Sequence, residues 1–128
     1  MTDAQHLRAV VVDASVIGSA HDALVQADSI HAPDLIDVEI ASLLRKAVMR
    51  HDRSAPSAEA VLRAWLDNAV IRHAHRPLMR QVWALRHAIT PYDATYVVLA
   101  QGLGVPLVTR DRRLARAAAP YCATITVD

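Results

Sequence analysis

Two hydrophobic patterns alternate along the chain. Short apolar runs, Ala9-Val10-Val11-Val12 and Pro106-Leu107-Val108-Thr109, alternate with longer stretches whose apolar residues recur every three or four positions. Runs of the first kind suit strands buried on both faces; stretches of the second suit helices with one buried stripe. The pattern predicts a strand over 8–12 and a short helix from Ala14 to about Val25. A weak strand over 29–32 follows, stopped by Pro33. A helix is expected over 34–50, striped by Ile36, Ile40, Leu43, Leu44 and Ala47. After a polar break at 52–56 comes a helix over 57–68, with Ser57 as its candidate N-cap. Then follow a strand over 70–74 and a helix over 77–87. Thr90-Pro91 opens a helix over 91–103, which Gly104 ends. A strand over 105–109, a helix over 112–119 and an edge strand over 123–127 complete the order. Strands alternating with helices predict an α/β fold around a parallel sheet.

Length fits one domain over 1–128, large enough to bury a core without disulfides. Apolar residues form 53% of the chain and charged residues 21%, which excludes a disordered chain. Phenylalanine is absent and aromatics are scarce, so base-stacking platforms are not expected to dominate any nucleic-acid contact. The net charge of +1 leaves local patches to decide the partner. The single cysteine, Cys122, reads as a small hydrophobe near the last strand. No apolar run approaches a membrane span and no signal-type segment opens the chain, so a cytoplasmic protein is expected.

Four acids stand at positions where such a fold concentrates ligand sites. Asp13 directly follows the first strand, and Asp111 follows the late strand by one residue. Open parallel sheets bind ligands at the C-terminal ends of their strands. Glu39 falls at the margin of an apolar helical stripe, where it either faces water beside Lys46 or points into a cleft. Asp93 completes the pattern Thr90-Pro91-Tyr92-Asp93, a capping box, yet shares a face with Val97 and Ala100 that turns it inward. Asp13 and Asp111 are also plausible helix caps, and Ser15 offers an alternative cap beside Asp13. Crowded carboxylates otherwise signal a cation or displaced pKa values. Arg110, Arg112, Arg113 and Arg116 surround Asp111, either as a solvated face or as a surface for a polyanion. The seven histidines are scattered without an HxxxH pair, and three glycines leave no phosphate loop.

Four segments carry a family resemblance. They are Val11-Val12-Asp13-Ala14-Ser15-Val16, Glu39-Ile40-Ala41-Ser42-Leu43-Leu44-Arg45, Thr90-Pro91-Tyr92-Asp93-Ala94 and Leu107-Val108-Thr109-Arg110-Asp111-Arg112-Arg113-Leu114. In this order they resemble the PIN-domain ribonucleases, and among them the VapC toxins of toxin–antitoxin pairs. The resemblance implies a PIN-like α/β/α sandwich with a central, mostly parallel sheet. It implies a metal-dependent endoribonuclease acting on structured RNA such as tRNA or rRNA. Asp13, Glu39, Asp93 and Asp111 would bind Mg²⁺ or Mn²⁺, with Ser15 and Thr109 as supporting hydroxyls. Arg45, Arg110, Arg112, Arg113 and Arg116 become candidates for RNA phosphates. The implied partners are a VapB-type antitoxin and a second copy of the chain. Ser42 stands where family members often carry Asn. Two other readings fit the same residues: a PIN-like RNA- or protein-binding module without cleavage, and a receiver-like Mg²⁺-binding signalling domain.

Overall fold

A computed structural model describes residues 7–17 and 27–128. Among them, five strands form one sheet: β1 (Leu7–Val12), β2 (Ala27–Pro33), β3 (Val70–His73), β4 (Leu107–Thr109) and β5 (Thr124–Thr126). Their order is β3-β2-β1-β4-β5, and every neighbouring pair is parallel. Val11 pairs with His31 on one side and Leu107 on the other, which makes β1 the centre. Val10, Val11 and Val12 are all buried, as a central strand covered on both faces requires.

The chain builds β1, β2 and β3 outward on one side, then crosses to lay β4 and β5 on the other. The reversal falls between β1 and β4. Loops leaving adjacent strand ends diverge there, which opens a crevice at the C-terminal edge. Parallel crossovers need connecting helices. Among the described residues these are α1 (Ile36–Met49), α2 (Ala55–Leu66), α3 (Met79–Ala84), α4 (Pro91–Leu103) and α5 (Arg112–Ala118). α4 packs against β1, β2 and β4, and every residue from Ala94 to Ala100 is buried. Gly104 ends it at φ 68°, a left-handed conformation in which glycine carries no Cβ penalty.

Several boundaries differ from expectation. The helix expected over 14–25 begins as a 3-10 turn at Ala14–Val16, and 18–25 lies outside the described residues. Pro33 closes β2 from within the strand, and Asp34 still donates its N–H to the His73 carbonyl at 2.8 Å. α1 therefore starts at Ile36. Ser54, not Ser57, caps α2: its side chain accepts the Ser57 N–H at 3.2 Å, and Pro56 lies inside the first turn, where a missing N–H costs nothing. The helix expected over 77–87 is a 3-10 turn at Arg76–Leu78 leading into the six residues of α3. β5 is the edge strand foreseen, though only Thr124–Thr126 pair. Cys122 is half-buried against the core, and burial pushes its thiol up. No helix among the described residues is long and apolar enough to cross a membrane.

Candidate active site at the reversal of the sheet

Asp13 leaves the end of β1 at this reversal. Its N–H donates to the Val108 carbonyl at 3.3 Å, so the backbone of β4 fixes its position. It occupies the N-cap position of the 3-10 turn but makes no capping bond. The Ser15 hydroxyl instead donates to its Oδ1 at 2.6 Å. Ser15 Oγ also accepts the Arg110 N–H at 2.9 Å and lies 3.2 Å from Thr109 Oγ1. The two hydroxyls thus join the ends of β1 and β4. Asp13 is 8% exposed, and burial pushes its carboxyl up to about 6. The Ser15 and Thr109 hydroxyls oppose that rise, whereas the charges of Asp111 and Asp93 add to it.

α1 and α4 supply the facing wall. Glu39, Ser42, Leu43 and Lys46 follow at i, i+3, i+4 and i+7 on one face of α1, and Asp93 and Tyr96 at i and i+3 on α4. With Asp13, Ala14 and Ser15 they line a cleft of about 230 Å³. The buried Tyr96 phenol donates to Glu39 Oε1. Burial raises the Glu39 carboxyl; the Tyr96 bond opposes this, and the Asp93 charge adds to it. Burial and the Glu39 carboxylate together raise the Tyr96 hydroxyl. Glu39 therefore faces the cleft rather than open water.

Asp93 and Asp111 keep their capping geometry as well. Thr90 Oγ1 accepts the Asp93 N–H at 3.3 Å, and Asp111 Oδ1 accepts the Arg113 and Leu114 N–H groups at 2.9 and 3.1 Å. Asp111 does not line the cleft. It stands beside it, with its N–H on Thr109 Oγ1 at 3.0 Å. The Arg113 guanidinium bridges the two acids, 3.3 Å from Asp93 and 3.6 Å from Asp111. Three of the four acids thus share one cleft, and the fourth is linked to it through Arg113 and Thr109.

The arginines expected as one cluster divide. Arg113 turns toward the acids. Arg112 and Arg116 line a separate open groove of about 610 Å³ beside β5, where Arg112 lies 3.7 Å from Asp128. Arg45 is exposed on α1, and Arg110 is exposed at the end of β4. Lys46 and Tyr96 were not foreseen as site residues. The helical spacing from Glu39 and from Asp93 was the available signal for each. The sheet also joins two histidines: His31 Nδ1 lies 2.8 Å from His73 Nε2, and His31 Nε2 lies 2.9 Å from Ser29 Oγ. Burial, then the His73 charge, lowers the His31 imidazole.

The cleft offers oxygen donors: carboxylates, hydroxyls and a phenol. Such a set fits Mg²⁺ or Mn²⁺ better than a thiolate- or imidazole-seeking metal. As the side chains are oriented, no three His, Cys, Asp or Glu groups among the described residues stand close enough to hold an ion. Ser15, Tyr96 and Arg113 engage the carboxylates instead. Mg²⁺ binding needs only one or two direct carboxylates, with waters completing the octahedron.

Residues 9–120 match the family model of the PIN domain. The chain belongs to the PIN-domain family. Ribonuclease VapC9 of Mycobacterium tuberculosis is 37% identical over 120 residues, which cover 88% of this chain and 94% of the relative. Ribonuclease VapC1 of the same organism is 45% identical over 96 residues, covering 72% of this PIN domain chain and 70% of the relative. A crystal structure of VapBC-5, a member of the VapBC family of toxin–antitoxin systems from M. tuberculosis, matches with a TM-score of 0.67 at 19% identity. It covers 94% of this chain and 99% of that one, and it establishes the likeness of fold. The receiver-like reading falls here: the PIN sheet runs β3-β2-β1-β4-β5, whereas the flavodoxin-like order that includes receivers is 2-1-3-4-5.

Proposed function

We propose that this PIN domain is the ribonuclease toxin of a toxin–antitoxin pair, cutting structured RNA by hydrolysis with a divalent metal ion. The carrying observation is the buried Asp13 at the sheet reversal, sharing one cleft with Glu39 and Asp93. The kinship with Ribonucleases VapC9 and VapC1 supports the activity class.

Asp13, Glu39 and Asp93 would hold Mg²⁺ or Mn²⁺, with Asp111 acting from the rim. A bound ion of this kind lowers the pKa of water and offsets charge on a leaving oxygen. The chain's own residues prepare the site. Ser15 and Thr109 seat Asp13, and Tyr96 orients Glu39. Lys46 and Arg113 bring positive charge to the two margins, where an RNA phosphate can replace Arg113's present carboxylate partners. Arg45, Arg110, Arg112 and Arg116 are exposed for more distant phosphates.

Val38, Leu43 and Met49 on α1 and Leu66 on α2 remain exposed. These exposed apolar side chains support a protein partner, a VapB-type antitoxin or a second copy of the chain. The test is cleavage of purified RNA with Mg²⁺ or Mn²⁺, repeated with chelator and with the cognate small protein. Metal-dependent cutting that the small protein suppresses is expected. Equal cutting in chelator overturns the metal mechanism, and no cutting under any condition favours the binding-module reading.

A further inference from the structure

No acidic residue occurs between Asp67 and Asp93, a stretch that holds Arg72, Arg76, Arg80 and Arg86 together with His73, His75 and His87. Arg72 is taken up by Asp37. The other three arginines are exposed, as are His75 and His87. In and just beyond α3, Val82, Leu85 and Ile89 are buried and anchor the segment. Arg80 and Trp83, at i and i+3 on α3, lie on the opposite side from Val82. Trp83 is 63% exposed. The Arg86 guanidinium lies over its ring, 4.8 Å from the centroid, and donates to the Trp83 carbonyl at 3.1 Å. The other tryptophan, Trp65, is buried.

An exposed indole with a guanidinium fixed on one face, in an arginine-rich and acid-free segment, has the parts of a single-strand nucleic-acid platform. Arginines hold the backbone, and the open aromatic face takes a base without regard to its identity. The segment leads directly to the cleft. α3 packs against α4, Thr90 caps α4 on the Asp93 amide, and the exposed Tyr92 stands next to Asp93. We propose that Trp83, backed by Arg86 and flanked by Arg76 and Arg80, stacks an unpaired base of the RNA and so directs cleavage to single-stranded loops rather than to duplex. The proposal rests on the ribonuclease reading for its substrate. A protein ligand fits the surface less well, because the exposed arginines of this acid-free segment complement a polyphosphate.

The experiment is tryptophan fluorescence in an Asp93→Asn background, which holds the RNA uncut. The probe is an unstructured single strand of about 12 nucleotides, compared with a duplex of the same sequence. The single strand is expected to quench the exposed emission and the duplex to leave it unchanged. Trp83→Ala should weaken single-strand binding by about five- to 150-fold, and Trp83→Phe should retain most of the affinity, because a ring remains to stack. Trp83 is on the surface, so circular dichroism of all variants should be unchanged. Equal single-strand affinity in Trp83→Ala overturns the proposal. So does an emission that responds to the cognate small protein but not to RNA, which makes the surface a protein contact. Quenching by single strands from a chain whose wild type cuts no RNA upholds the platform and refutes only the nuclease reading.

Discussion

Asp37 and Glu39 lie two residues apart on α1 and face different worlds. Asp37 is balanced: Arg72 donates two bonds to it at 2.7 and 2.9 Å, Trp65 Nε1 donates a third at 2.7 Å, and the Arg72 guanidinium also sits 5.8 Å over the Trp65 ring. The Arg72 bond is the chief cause that holds its carboxyl below the ordinary range. Glu39 shares its cleft with Asp13 and Asp93, and there burial and neighbouring acids raise Asp13 and Glu39 instead. One cluster spends charge on holding α1, α2 and β3 together. In the other, burial outweighs the hydroxyl partners of Asp13 and Glu39, and a site whose carboxyls are raised while metal-free is one that a cation relieves.

The largest test of this contrast is Asp13→Asn. Cleavage should fall by orders of magnitude, as expected when a metal-binding carboxylate is lost. The metal-free protein should gain up to about 3 kcal/mol at pH 8, since a carboxyl moved from 3.8 to about 6 opposes folding when charged. Denaturant melts and cleavage rates on one preparation check both. A loss of stability would place Asp13 with Asp37 as a structural acid.

Asp37→Asn should do the reverse. Removing the charged acceptor of three bonds should cost about 2–3 kcal/mol in denaturant melts. Cleavage per folded molecule should hold, because Asp37 does not line the cleft. Reduced cutting with intact stability would break the contrast from the other side.

The same contrast predicts opposite pH dependences. A raised carboxyl contributes stability that is present below its unfolded pKa and lost as pH rises through the folded value. Asp13's contribution to the metal-free protein should therefore decline between about pH 4 and 6 and vanish above. Asp37's is lowered, so its contribution is present above the unfolded value and lost as pH falls through the folded one. Melting temperatures across that range, in wild type and Asp13→Asn without metal, should diverge upward of pH 4. Mg²⁺ should restore the wild type alone at pH 8.

The smallest effect is expected from Tyr96→Phe, which keeps the ring and removes the donor to Glu39. Cleavage should drop by about tenfold, and stability should change by about 1 kcal/mol. Unchanged cleavage would reduce Tyr96 to a core residue.

Local signals in the sequence locate most of these parts. The apolar runs mark β1 and β4, so Asp13 and the Asp111 cap fall where expected. Thr90-Pro91 and Gly104 bracket α4 closely, because caps are set by a few neighbouring residues. What the sequence conceals are pairings over distance. Tyr96 and Glu39 are 57 residues apart, Arg113 and Asp93 are 20, and nothing local says that either pair meets. The same holds for His31 and His73, joined only through the register of β2 with β3. Ser57 reads as the cap of α2, yet Ser54, three residues earlier, takes the capping role and Pro56 fits the first turn. The scarcity of aromatics likewise gave no sign that Trp83 would be left outside the core.

The bond between the ends of β1 and β4 also acts as a clock. Ser15 and Thr109 are 94 residues apart, yet they meet to seat Asp13. A ribosome adding roughly 5–20 residues per second needs about 5–20 s to pass from one to the other. Until β4 emerges, Asp13 lacks the strand end that holds it, although Glu39 and Asp93 are already made. A chain abandoned before β4 is expected not to cleave, because Asp13 then has neither the Val108 carbonyl nor the Ser15–Thr109 contact to seat it.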